Sequence, residues 1–334
     1  MRFLSDREKR YQRFKWLYLI GPLLFFAILH SIDGKRAYRI FVNAHPLPII
    51  VGLLLLPIEV LIRANQLRRV VSLKASLPFL DAVKAHFIGV SFGTVTPGGW
   101  GSFAKWEMIK KAASLDGVSS LALVAVDKLF SLFTLLLIGA IGLLISSKHL
   151  TETLFFPLFL FVLVSLLVFF TLFFFRRPAP FFASWFSRLI PPKSRVFVMG
   201  HLRKTGLICS LFTEKRKQSF VIACFAGMGW MLFLARFFFY ARALGIQAPF
   251  FDFLFIFPLT TLIEAMPLSI MGVGTRDVTL IFLFSLIGID QEHAVSLSMM
   301  CLVLLLVFEV PAGFIITSRE YIGLRRLKLE GGEE

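Results

Sequence analysis

Two short segments bring together the residue types that hold anions. Residues Thr96 to Glu107 read TPGGWGSFAKWE, and Met266 to Asp277 read MPLSIMGVGTRD. In each, a proline (Pro97, Pro267) and closely spaced glycines (Gly98 and Gly101; Gly272 and Gly274) break a long apolar stretch, and charge returns at once. A helix that starts just after Gly101 or Gly274 presents free N–H groups and the positive end of its dipole, which is anion-binding chemistry. Ser102 and Thr275 stand where N-caps are expected. Lys105 and Glu107 follow the first break, and Arg276 and Asp277 the second, so each has a cation able to contact a phosphate and an acid able to counter it. A phospholipid or polyprenyl-phosphate head group suits that inventory. Lys105, Glu107, Lys110 and Lys111 equally suit a solvated face, whereas Arg276 and Asp277 lie between apolar stretches.

Other ionisable residues inside apolar stretches are candidates by default, because each costs roughly 2.5–3.5 kcal/mol to insert near a helix centre. Asp127 and Lys128 open the long stretch after the first break. Glu264 shortly precedes the second break, and Glu309 sits deep in the last stretch beside Pro311; either could carry a proton or balance Arg276. Glu59 and Arg63 share a helix face and are expected to pair with each other. His86 reads as a packed polar residue, and Gly89 and Gly93 nearby suit close helix packing. Cys224 and Cys301 fall in apolar stretches and Cys209 in a basic loop, so they are expected to be packing residues rather than a disulfide or metal set. No metal ion or cofactor is expected.

The elements that must position these groups are membrane helices. Of the 334 residues 57% are hydrophobic and 17% charged, and residues 154–175 carry no charge. A span needs roughly 20 mostly apolar residues, and about six full-length candidates occur, at 16–32, 48–62, 121–146, 154–175, 220–240 and 294–316. No cleavage site follows the basic amino terminus, so the first segment is expected to remain as an anchor. The net charge of +16 gathers beside the spans, which points to topology rather than nucleic acid. Arg2 to Lys15, Arg63 to Lys74, and the linker 176–217 with ten basic residues against Glu214 are expected inside, together with both termini. Residues 289–293 and 147–153 are expected outside, and Lys35, Arg36 and Arg39 dissent from the rule in the first outer loop.

The odd-even count of crossings closes only if each broken segment goes in and comes back. Residues 77–112 then form a re-entrant hairpin from the inner side and 250–288 one from the outer side, so that they point at each other. Each is followed by Leu-x-Gly-aliphatic (Leu115, Gly117, Val118; Leu286, Gly288, Ile289) and a long span, at an offset of about 171 residues. The expectation is one all-α polytopic membrane domain over 1–334, with inverted repeat halves at about 77–175 and 220–316 joined by the basic linker.

At these residues the chain resembles the lysylphosphatidylglycerol synthase transmembrane-region family of flippase-like membrane proteins. That family has an element like Pro-Gly-x-x-Gly-Glu-x-x-Arg, an acidic/basic pair leading a long helix, and a second element like Pro-x-x-x-Gly-Gly-x-Gly-x-Arg-Glu. Pro97, Gly98 and Gly101 fit the first, Asp127 and Lys128 fall near the pair, and Pro267, Gly272, Gly274, Arg276 and Asp277 fit the second. Ser102, Lys105 and Asp277 depart from the usual Glu, Arg and Glu, so a head-group preference does not carry over. The resemblance implies a lipid translocase in the cytoplasmic (inner) membrane of a bacterium. No segment is long enough for the soluble aminoacyl-transferase domain of larger relatives, so aminoacylation by this chain alone is not expected. The rival readings are a membrane-embedded enzyme acting on a lipid or lipid-linked glycan, and a partner subunit docking such an enzyme through the basic linker. The enzyme reading lacks Asp-x-Asp, His-Glu-x-x-His, Walker and Gly-x-Ser-x-Gly motifs. Expected partners are membrane lipids, with a lipid-modifying enzyme and a second copy of the chain as further candidates.

Overall fold

The computed structural model of the chain describes residues 23–24, 27, 30, 32–146, 156–160, 162–167, 215–266 and 269–330. The basic amino terminus, most of the expected spans at 16–32 and 154–175, nearly all of the linker 176–217, Cys209 and Pro267 lie outside them.

All regular structure among the described residues is helical. Helix α1 (Gly34–Val42) opens on Asp33, whose carboxylate accepts from the N–H groups of Lys35 and Arg36 at 3.0 and 3.1 Å. Helix α2 (Pro46–Val71) has a proline at its first position, where the missing N–H has no intrahelical partner to lose. There follow α3 (Phe79–Thr94), a 3₁₀ segment (Pro97–Ala104), α4 (Lys105–Ala112) and α5 (Gly117–Ile145). After the linker come α6 (Arg216–Ala243), α7 (Phe250–Glu264), α8 (Thr275–Ser285) and α9 (Gln291–Leu304). A π-turn (Leu305–Glu309) joins α9 to α10 (Val310–Glu330).

Helices α2, α5, α6 and the continuous α9–α10 stretch Gln291–Glu320 are the four described helices long and apolar enough to cross a membrane. Exposed Leu54, Leu61, Ile141, Leu144, Val303 and Val307 give α2, α5 and α9–α10 apolar outer faces, as helices that meet lipid have. At 26 to 29 residues, α2, α5 and α6 run about 40 Å, longer than the hydrocarbon core of about 30 Å. In α2 and α6 the excess over the expected spans is carried by Arg and Lys, good helix formers, whereas α5 starts early because Asp116 caps it, accepting from Ser119 N–H.

The most extensive helix pairing is α2 on α6, and α3 packs on the 3₁₀ segment and on α10 while α5 packs on α7. Gly142 of α5 sits so close to α7 that a methyl group there would lie 2.5 Å from the Leu254 carbonyl carbon. Small residues at a seam allow this approach, and dispersion between backbones then replaces the hydrophobic drive that lipid removes.

Each broken segment is a there-and-back element. Helix α3 contacts both the 3₁₀ segment and α4, and α7 contacts α8. Gly89 and Gly93 line the first seam, where a methyl group would meet Lys105 Cδ at 3.3 Å and Ser102 Cβ at 3.2 Å, as close packing predicts. Both return arms close with the same reversal: the N–H of Leu115 donates to Lys110 O at 3.2 Å, and that of Ile289 to Phe284 O at 3.0 Å. The left-handed residues in these turns are Ser114 and Gly288, after which Asp116 and Asp290 stand at the N-caps of α5 and α9. The Leu-x-Gly match is therefore out of register, since Gly117 is the first residue of α5 rather than a turn residue.

The start of α2 meets the end of α6, and α1 meets the start of α9, at one end of the bundle. His45 N–H donates to Ala243 O at 2.8 Å, and Arg36 pairs with Asp290 at 2.6 Å. The far end gathers Arg68, Arg69, Lys74 and Lys84, where Lys84 pairs with Glu320 at 2.9 Å and Gln218 reaches Ser72 Oγ at 3.0 Å.

Candidate functional site

The first break turns on Gly98 and Gly99, with φ of 61° and 68°, and Gly101 N–H donates to Thr96 Oγ1 at 2.6 Å. The 3₁₀ segment then runs straight into α4, whose N-cap position is Ala104, itself helical and without a side-chain cap bond. Ser102 is thus inside a helical turn and caps nothing, contrary to expectation. Lys105 Nζ pairs with Asp127 Oδ2 at 2.6 Å, and Gln66 Nε2 donates to Asp127 Oδ1 at 2.9 Å. Glu107 does not join them. It is exposed and faces Lys111 across a helical turn at 3.6 Å, so the solvated-face reading holds for Glu107, Lys110 and Lys111.

Lys128, next to Asp127, is exposed and has no ion-pair partner among the described residues. It stands next in the chain to Asp127, whose carboxylate is already taken by Lys105 and Gln66.

At the second break α8 begins at Thr275, so the N-cap is Gly274 and not Thr275. The end is closed by the protein itself: Gly274 N–H donates to Asp277 Oδ2 at 2.8 Å, while the Thr275 hydroxyl pairs with that of Ser269 at 2.6 Å. Arg276 donates through Nε to Ser298 Oγ at 2.8 Å and through Nη2 to Ser298 O at 3.2 Å, and the Ser298 hydroxyl in turn donates to Asp277 Oδ1. Ser298 thereby relays between Arg276 and Asp277, and no carboxylate among the described residues lies within ion-pairing distance of the guanidinium. Glu264 lies within electrostatic reach of Arg276, Asp277 and Lys128, linking the two breaks.

Gly272 holds Glu264 in place by its absence of a side chain. Its φ is 71°, and a methyl group would lie 2.6 Å from Glu264 Oε1. Gly272→Ala combines a left-handed alanine with displacement of that carboxylate, and is expected to cost about 1–3 kcal/mol. The thermal unfolding midpoint of the detergent-solubilised protein measures it; an unchanged midpoint would mean the turn simply relaxes.

A second buried constellation was only half visible in the sequence. Arg236 Nη1 donates to Glu59 Oε2 and Nη2 to Glu309 Oε1, both at 2.8 Å. Glu309 therefore neutralises Arg236 and does not balance Arg276. The expected Glu59–Arg63 pair forms, at 3.7 Å, and Arg63 lies 4.4 Å over the Trp230 ring. Trp230 Nε1 donates to Ser131 O at 2.7 Å, and Gln66 Nε2 to Ser131 Oγ at 3.0 Å, which returns the chain of contacts to Asp127 and Lys105. Arg236 is the one charge between Phe220 and Tyr240, and an intramembrane arginine was the signal that could have found it. His86 is half-buried with an edge contact to Phe87, Cys301 is a core residue, and Cys224 faces outward instead of packing.

The arrangement separates charges that are spent from charges that are available. Lys105, Arg63 and Arg236 are matched by Asp127, Glu59 and Glu309. Lys128 and Arg276 have no direct carboxylate partner among the described residues; Asp127 is the neighbour of Lys128 in sequence, and Asp277 is joined to Arg276 through Ser298.

Comparison with curated proteins and with solved structures gives no match. A family model described as the lysylphosphatidylglycerol synthase TM region matches residues 17–313, a stretch that contains both hairpins and the ionic network. With its all-helical membrane architecture, the chain belongs to the lysylphosphatidylglycerol synthase TM region family, a membrane domain associated with lipid or lipid-linked functions.

Proposed function

We propose that the chain is a lipid translocase of the bacterial cytoplasmic membrane. The phosphate of an anionic phospholipid or polyprenyl-phosphate lipid passes between the two hairpins while its tails stay in the bilayer. The observation that carries this reading is the pair of cations left without a direct counter-ion among the described residues, exposed Lys128 beside the first hairpin and Arg276, bonded to Ser298, on the second, where Glu264 packs against Gly272 of the same break. Lys105 is held by Asp127, so the inner contact to phosphate falls to Lys128. Glu264 balances the two cations when the phosphate is absent and takes up a proton or moves aside when it arrives. The hairpins act as inverted repeats about an axis in the membrane plane, which is the architecture of alternating access. Both termini lie inside, so the first hairpin opens to the inner leaflet and the second to the outer.

The test is crossing of fluorescent phosphatidylglycerol and of a fluorescent polyprenyl phosphate in liposomes carrying the purified protein. Crossing well above that of protein-free liposomes is expected for at least one of them. Rates equal to protein-free liposomes for both would remove the proposal.

A further inference from the structure

The end of the bundle built from α1, the start of α2 and the turn after α6 gathers Arg36, Arg39 and Arg242. A cavity of about 460 Å³ opens there, lined on its polar side by Arg36, Arg39, Asn43 and His45 and on its apolar side by Ile40 and Leu244. The bond from His45 N–H to Ala243 O, 2.8 Å, ties the two walls together. The arginines are not equivalent. Arg36 is committed to Asp290 at 2.6 Å and to Glu292 at 3.8 Å. Arg39 donates through Nε to the Lys35 carbonyl at 3.4 Å, and no carboxylate among the described residues pairs with it, so its terminal N–H groups are the available charge of the cavity. Cavities of a few hundred Å³ ordinarily enclose a small organic ligand, and a glycerophosphate moiety falls within that range.

The surroundings select a lipid over a soluble ester. Tyr38 and Val42, one helical turn apart on α1, are 68% and 57% exposed, and the apolar surface continues along α2 through Leu47, Ile50 and Leu54. A short helix with a basic side and an uncovered apolar side is the pattern of an element lying in the membrane interface.

We propose that this cavity binds the phosphate of an anionic phospholipid, with Arg39 as its charged contact, the glycerol against Ile40 and Leu244, and the acyl chains along Leu47, Ile50 and Leu54. The site is separate from Lys128 and Arg276 and requires no lipid crossing. Only its assignment to the outer leaflet rests on the proposed topology.

Native mass spectrometry of the full chain in detergent, titrated with phosphatidylglycerol, reads the occupancy, with glycerol 1-phosphate as soluble competitor. Arg39→Gln is expected to weaken phosphatidylglycerol retention about fivefold, the loss of one interfacial cation. Arg39→Lys is expected to keep most of it, and Lys110→Gln, on the exposed face of α4, to leave it unchanged. Wild-type retention by Arg39→Gln overturns the proposal, as does displacement of the lipid by an equal concentration of glycerol 1-phosphate, which would make this a soluble phosphate-ester site. Arg39-dependent retention in a protein that moves no lipid supports this site and defeats the translocase reading instead.

Discussion

Arg276→Gln is expected to slow lipid crossing by about tenfold to a hundredfold, the loss of one charge-assisted hydrogen bond to phosphate. The reason lies in what Arg276 does not do. Its Nε and one Nη2 proton are used on Ser298, and no described carboxylate consumes its charge, so the folded state does not depend on it as an ion-pair member. The start of α8 keeps its own closure in the variant, because Asp277 still accepts from Gly274 N–H and from the Ser298 hydroxyl. Folded yield and elution profile should therefore match the wild type while the initial crossing rate falls. Arg276→Lys should recover part of the rate, since it restores a point charge without the planar fork that meets two phosphate oxygens at once. A crossing rate near that of the wild type in Arg276→Gln, with protein density in the liposomes equalised, would take the centre out of the proposed mechanism.

The residues around Arg276 also show where sequence reading succeeds and where it stops. Pro97, Gly98 and Gly101, like Gly272, Gly274 and Arg276, announce themselves because backbone-breaking residues and charge are rare in apolar stretches. The hairpins follow from those breaks and from the count of crossings, and the contacts between α3 and α4 and between α7 and α8 agree. Ser298 carried no signal, because a serine in an apolar helix is ordinary and its role exists only once α8 packs on α9. The N-caps were misplaced for a local reason: the first break winds into a 3₁₀ turn continuous with α4, and the second uses the backbone of Gly274 with the carboxylate of Asp277. The partner of Glu309 depended on a π-turn. Pro311 has no N–H to give to the carbonyl four residues back, and the chain widens there so that Val310 N–H bonds Leu305 O. That extra residue in the turn alters the direction in which Glu309 projects, and no periodicity of 3.6 could have assigned it to Arg236.

Arg236→Met is expected to destabilise the protein by about 3–5 kcal/mol, because it strands buried Glu309 and leaves buried Glu59 only its longer contact to Arg63. Glu59 and Glu309 are each nine-tenths or more buried and each lies 2.8 Å from the guanidinium, so removing it leaves two acids facing each other in low dielectric. Arg63, 3.7 Å from Glu59 and stacked over Trp230, stays with Glu59 and makes no ion pair with Glu309 among the described residues. The unfolding midpoint in detergent should fall steeply for the single variant and recover largely when Glu59→Gln and Glu309→Gln accompany it, since neutral amides need no counter-charge. A single variant as stable as the wild type would show that water already reaches the carboxylates. The triple variant also separates structure from mechanism. Arg236 ties α2, through Glu59, to the π-turn of the last span, and that span supports the first hairpin through Ser91 Oγ donating to Val310 O at 2.7 Å and Lys84 pairing with Glu320 at 2.9 Å. A rigid frame is what a moving hairpin requires beneath it. If the triple variant folds and moves lipid at the wild-type rate, the clamp serves the frame alone; if it folds and moves none, the charges of Glu59, Arg236 and Glu309 take part in passage themselves.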